Sequence, residues 1–211
     1  MADNFLENKF DDYRQKKSAP MSKSGHSLVS LLKKNRSYRG YDPAYKVSVS
    51  ALEQMVAVNM LLPSAKNQQA LRFKLVTEDT GADKVLENIK LGGMLPELHL
   101  PFPGTEPKAF IIICTTVPDS KMLHVDVGIA AQSMLLKAVD MGYNGLIIGA
   151  FNAKKITEEF SLPYPPALIL AIGKGNEKIE LTEISADESH AYWRENGTHF
   201  VPKVRWKELI V

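Results

Sequence analysis

Two short, wholly apolar runs, Ala109–Cys114 and Ala167–Ile172, set the terms on which this chain folds. Each has the length of a strand buried on both faces and falls far short of the roughly 18 to 20 residues of a membrane span. Between them lies the clearest helical pattern in the sequence, Asp119 to Met141. There Val127, Ala130, Ala131, Met134, Leu135, Ala138 and Met141 recur at i, i+3, i+4, i+7. Gly128, Ala130 and Ala131 are small, so something packs closely on that stretch, and Gly142 ends it. Leu71–Thr77 and Leu146–Ile148 read as further strands. His26–Lys34, Thr80–Ile89 and Ala153–Phe160 read as helices. Another helix is expected over Ala51–Leu61, capped by Ser50 with Glu53 completing a capping box, and stopped by Pro63. Residues 91–107 are a Gly/Pro-rich loop, and the tail from Ile179 is mixed and polar, with a helix-like Trp206–Val211. Strands separated by helices predict one α/β or α+β domain, and 211 residues with 45% apolar content suffice for one core. Ahead of it, residues 3–17 read as a polar helix and residues 18–25 as a Pro/Ser/Gly break, so 1–26 is expected to be an N-terminal extension.

Several chemistries are excluded by what the sequence lacks. It has no G-x-S-x-G, no Walker A loop and no G-x-G-x-x-G after a strand. The histidines at 26, 99, 124, 190 and 199 never fall at zinc-binding spacing, and His124 reads as a surface or capping residue. The single cysteine, Cys114, cannot form an internal disulfide and reads as an inert core thiol. The charged N-terminus has no secretory apolar region. A reducing, cytoplasmic location is the simplest expectation, with no membrane partner.

The net charge is only +2, but residues 1–40 hold nine Lys or Arg against four Asp or Glu. Lys33, Lys34, Arg36 and Arg39 cluster without an acid between them. Such a cluster reads either as a phosphate site or as a solvated basic helix end. The aromatics that nucleic-acid recognition would interleave are missing, so no nucleic-acid partner is expected.

Three segments could carry chemistry. Asn35–Arg39 offers two guanidinium groups and the Ser37 hydroxyl to an anion. In Leu62–Gln69, Pro63 and Ser64 make a rigid turn, while Asn67 and Gln69 carry amides suited to a heterocycle edge. In Val201–Trp206, Lys203 and Arg205 fall on one side of an extended segment.

In their order and spacing these segments resemble the FMN-dependent nitroreductase family over about residues 27–210. Arg36-Ser37-Tyr38-Arg39 matches the end of an R-R-S-x-R pattern, with Asn35 in place of its first arginine. Pro63, Ser64, Asn67 and Gln69 match P-S-x-x-N-x-Q-P-W, with Ala70 and Leu71 replacing the last two residues. Asp126–Phe151 is similar throughout, and Val201–Arg205 resembles the terminal K-x-R segment.

The resemblance implies an α+β fold, a three-layer α/β/α sandwich forming an intertwined homodimer whose tails reach across to the partner. FMN would sit at the interface. By position, Arg36, Ser37, Lys203 and Arg205 would hold its phosphate and ribityl chain, with Arg39 near the pyrimidine edge. Pro63, Ser64, Ala65 and Asn67 would come from the other subunit, Gln69 would belong to the cofactor-binding set, and Ile148 and Gly149 would lie by the ring. The implied activity takes hydride from NADH or NADPH and reduces a small acceptor, a nitroaromatic or quinone, by a ping-pong cycle. Arg39 would then be the catalytic group, acting through flavin electrostatics. The alternative is an FMN-binding protein without turnover, used for sensing, storage or partner binding.

Overall fold

The computed structural model describes residues 26–211, so the expected helix over 3–17 and the break at 18–25 lie outside the described residues. The two apolar runs become neighbouring central strands. β1 (Leu71–Thr77), β2 (Ala109–Thr115), β3 (Asn144–Ile148) and β4 (Pro166–Gly173) form a four-stranded sheet in the order β1-β2-β4-β3. Every adjacent pair is antiparallel.

Alternation along β2 and β4 builds two cores from one sheet. Ala109, Ile111, Ile113, Leu170 and Ile172 face one cluster, while Phe110, Ile112, Cys114, Ile169 and Ala171 face the other. The first cluster is closed by α2 (Val49–Ala57) and α4 (Lys121–Asp140), through Leu52, Met55, Ala131, Met134 and Ala138. The second is closed by the short α3 (Ala82–Leu86) and by α5 (Ala153–Phe160), through Val85 and Ile156. The outcome is the expected three-layer α+β sandwich. α1 (Leu28–Lys34) lies against α4, where Asn35 donates an amide N–H to Gln132 at 3.3 Å.

Local chemistry sets the helix ends and moves some expected boundaries. Ser48, not Ser50, caps α2 by accepting from the Ala51 N–H at 3.1 Å, so the helix begins at Val49 without a role for Glu53. It tightens to a 3-10 turn over Val58–Leu61. The helix expected over Thr80–Ile89 shrinks to Ala82–Leu86, because a Thr77/Thr80 capping box first closes a 3-10 turn at Glu78–Thr80. Ser120 caps α4, which starts two residues after the expected Asp119, and Gly142 follows its end at φ 85°, as the sequence predicts. α4 is long and apolar enough by composition to cross a membrane, but half of its apolar window is buried in the sandwich.

The polar tail is more ordered than the sequence suggests. β5 (Lys178–Ile184), β6 (Trp193–Glu195) and β7 (Thr198–Val204) form a second sheet in the order β5-β7-β6, β5 running parallel to β7. Asn196 (φ 47°) and Gly197 (φ 73°) make the tight turn from β6 to β7. Pro202 sits in β7 beyond the end of the β6 ladder, where its missing N–H leaves no bond unmade.

Candidate functional site

The segment after α1 is held between the two sheets. Ser37 bridges to Gly145 of β3, and the Tyr38 N–H donates to the Gly145 carbonyl at 3.2 Å. The Tyr38 and Tyr41 rings lie where any Cβ at Gly175 or Gly173 would collide with them, so both positions need glycine for close approach. Burial pushes the Tyr41 phenol well above its ordinary range, and its O–H donates to the Tyr38 carbonyl at 2.9 Å.

Glu177 fixes this segment from the tail side. Its carboxylate accepts from the backbone N–H groups of Arg39 and of Gly40, the latter at 3.0 Å, and pairs with the Arg194 guanidinium. The Glu177 side chain is 8% exposed, so this is a buried ion pair completed by backbone donors. The Arg39 guanidinium lies over the Tyr192 ring, 5.2 Å from its centroid, and donates to the Ser37 carbonyl at 3.2 Å.

A cavity of about 230 Å³ opens beside this segment. Asn35, Arg36, Ser37 and Arg39 line one side, and Ile179, Tyr192, His199, Val201 and Lys203 the other. The structure thus brings Arg36, Ser37, Arg39 and Lys203 together across the whole length of the domain. Burial holds the Arg36 guanidinium below its ordinary pKa; one terminal nitrogen donates to the Leu32 carbonyl at 2.7 Å, and Nε is buried without a partner. Arg205 does not join them. It leaves the β7 ladder as the residue before the Trp206–Leu209 turn, donating to Ser185 Oγ at 3.1 Å and pairing with Glu208 at 3.7 Å.

The Pro63–Gln69 turn lies elsewhere on the same chain. Pro63, Ser64 and Gln69 border a second, mostly apolar cavity of about 450 Å³, with Met60, Leu71, Phe73, Asp126 and Ile129 among its walls. Three of its residues take left-handed backbone: Lys66 (φ 53°), Asn67 (φ 52°) and Gln69 (φ 47°). Such strain costs about 1 kcal/mol or more per residue and needs outside support. Asp126 supplies it. This carboxylate, 6% exposed in the apolar stripe of α4, accepts from the Ala65 N–H at 3.0 and 3.1 Å. Ser64 Oγ accepts from the Gln69 N–H at 3.1 Å, and the Gln69 amide donates to Asn67 at 3.2 Å. Ile148 is buried in β3, while Gly149 is exposed, and a Cβ there would meet nothing within 4 Å.

Other residues take the places expected of them. Cys114 is a buried thiol whose pKa burial pushes up to about 11, far from an activated thiolate. His124 is an exposed side chain paired with Asp119. Asp126, Glu177, Tyr192, Arg194 and His199 are the site-forming residues the sequence reading passed over. An acid in the apolar stripe of a helix was the available signal for Asp126. For Arg194 and His199 it was the Asn196-Gly197 dipeptide, which puts the two side chains on directly opposed residues.

Known proteins share this fold. Residues 32–174 match the family model described as "Nitroreductase family". A protein of Bacillus subtilis (strain 168) named "Putative NAD(P)H nitroreductase YdgI" is 24% identical over 205 residues, spanning 80% of this chain and 93% of its own. Among solved structures, a nitroreductase family protein from Clostridium difficile 630 aligns with a TM-score of 0.59 at 27% identity, covering 72% of this chain and 86% of that one. One from Exiguobacterium sibiricum 255-15, described as a "putative nitroreductase in complex with FMN", aligns with the same TM-score at 20% identity, covering 74% and 91%.

Proposed function

The chain belongs to the nitroreductase family, and from that premise we propose that it is an FMN-dependent oxidoreductase taking hydride from NADH or NADPH and reducing a small acceptor. The observation that carries this reading is the cavity bordered by Arg36, Ser37 and Lys203. A guanidinium, a hydroxyl and an ammonium around a space of about 230 Å³ fit a terminal phosphate monoester. Arg36 Nε, buried and unpartnered, is a donor that such a group satisfies. FMN held there would supply the hydride chemistry between nicotinamide and acceptor.

The chain's own residues bind and orient. Arg36, Ser37 and Lys203 anchor the phosphate. Arg39, placed by the Glu177 carboxylate on its backbone and by Tyr192 under its guanidinium, would offer a fixed positive charge to the pyrimidine edge. That charge favours the more negative, reduced cofactor. Gly149 leaves open space beside β3 for the ring. No side chain is needed as a general base in this scheme.

The second half of the site comes from a second copy of the chain. Leu28 and Val29 on α1 are each 61% exposed, and Met122 (51%) and Val125 (45%) face outward on α4. Large exposed apolar surface of this kind marks an interface. Pro63, Ser64, Ala65, Asn67 and Gln69 of one chain would then meet the flavin held by Arg36 and Lys203 of the other. The test is direct: the purified protein is yellow, releases FMN on denaturation, and bleaches when NADH or NADPH is added without oxygen. A protein that binds FMN but stays oxidised under both nucleotides is a binder without turnover. One that does not bind FMN at all overturns the reading.

A further inference from the structure

His199 and Arg36 Nε are buried polar groups without a hydrogen-bond partner among the described residues, and both residues border the same cavity. The imidazole is 2% exposed, its ring centroid 5.0 Å from that of Tyr192, and neither ring nitrogen is bonded. More than about nine in ten buried polar groups in native proteins have a partner. Besides His199, the polar groups on this cavity's walls are the Asn35 amide, the Ser37 and Tyr192 hydroxyls and three cations, Arg36, Arg39 and Lys203, with no acid among them, so the partner this wall fits is an anion. Meanwhile Arg205, which the family resemblance puts on a phosphate, is engaged with Ser185 and Glu208.

We propose that His199 is the buried hydrogen-bond donor of a phosphoryl site in this cavity, acting with Arg36, Ser37 and Lys203 where Arg205 does not reach. The assignment rests on the FMN reading for the identity of the phosphate, which is the cofactor's own. His199 borders the cavity while its ring nitrogens are shut from solvent, so donating to a phosphate there takes a rotation about χ2, a soft torsion in histidine. The groups that face it are Arg36 and Arg39 from the loop after α1, Tyr192 and Arg194 from the β6 side, Glu177 ahead of β5, and Lys203 on its own strand. Burial, then Arg194 and Arg39, hold its pKa below the ordinary value against the opposing pull of Glu177. In either tautomer the neutral ring offers one N–H to a phosphate oxygen and leaves one nitrogen to accept from a neighbouring hydroxyl.

Full-length protein stripped of flavin is titrated with FMN, with riboflavin, which lacks the phosphate, and with inorganic phosphate. The ring ¹⁵N–¹H signals of His199, assigned by their loss in His199→Gln, are followed in parallel. His199→Gln is expected to weaken FMN about tenfold and to leave riboflavin within about twofold. FMN and phosphate should both move the wild-type His199 signals, and riboflavin should not. Equal losses for the two flavins would make His199 a structural wall and overturn the proposal. If the variant fails to fold, the wild-type ring signals decide alone, and signals unmoved by FMN and by phosphate overturn it. A wild-type protein that binds neither flavin but shows the phosphate response removes the FMN reading and leaves the phosphoryl site standing.

Discussion

β2 and β7 are each seven residues long and each lies between two neighbours in its sheet, yet they are made of opposite materials. β2 is buried throughout, and its Ala109–Cys114 run is apolar on both faces. β7 buries Thr198, His199 and Pro202 and exposes Lys203. The β2 pattern is complete in itself: each side chain from Ala109 to Cys114 sits in an apolar cluster of the same chain. The β7 pattern leaves polar groups against a cavity without partners. Burial of apolar groups builds the scaffold, and burial of unmet polar groups points to something the scaffold holds.

The contrast can be broken by mutation, and the largest effect belongs to β2. Ile112→Ala removes a side chain with no exposure from the core under α5, and should cost about 2 to 5 kcal/mol of unfolding free energy. Denaturant unfolding checks this, and FMN affinity in the folded fraction should be unchanged. Glu177→Ala comes next, because it strands the Arg194 guanidinium and two backbone donors. A loss of about 3 kcal/mol is expected, together with reduced FMN occupancy, since the Arg39 segment loses its anchor. A variant as stable as the parent would show that the Glu177 contacts contribute no net stability.

Smaller effects sharpen the comparison within the site. Lys203→Ala should weaken FMN about ten- to hundredfold, on about 1.5 to 3 kcal/mol for a charge-assisted bond. Arg205→Ala should weaken it less, because that guanidinium is engaged with Ser185 and Glu208. Equal losses in titration would mean that Arg205 turns into the cavity when FMN binds. Arg39→Ala should lower the two-electron potential by roughly 20 to 45 mV, at about 30 mV per 1.4 kcal/mol. Arg39→Lys should keep part of that. Dye equilibration at checked FMN content measures it, and an unchanged potential would leave Arg39 a structural partner of Tyr192.

The smallest effect is one of pH. His199 has a folded pKa below its ordinary 6.5, so the unfolded chain binds the proton more readily. Stability of the flavin-free protein should therefore fall as pH drops through about 6.5. Thermal melts of the parent against His199→Gln, from about pH 7.5 to 5.5, should show a shallower slope in the variant.

How legible each region was follows from the same physics. β1 and α5 begin and end at the residues the sequence predicts, because apolar period and flanking turn residues agree there. The core strands and α4 needed only a residue or two of adjustment. The segments Asn35–Arg39 and Val201–Trp206 read as anion-binding material, and the fold brings Arg36 and Lys203, but not Arg205, to one cavity. What escaped was anything decided by partners far along the chain. Glu177 looks like any surface acid until the Arg39 and Gly40 N–H groups are seen above it. His199 looks like a lone histidine in a polar tail, although the Asn-Gly turn beside it was a readable signal of a hairpin.

The bond between Glu177 and Arg39 joins residues 138 positions apart, and it constrains how the protein is made as well as how it stands. A ribosome that has delivered the chain through Gly173 has supplied all four strands of the sandwich and the helices on both its faces. Of the cavity's lining it has delivered only the Asn35–Arg39 side. If that cavity holds FMN as proposed, loading waits for the arrival of β7. A chain that ends between Gly173 and Thr198 would lack His199, Val201 and Lys203 of the cavity's walls.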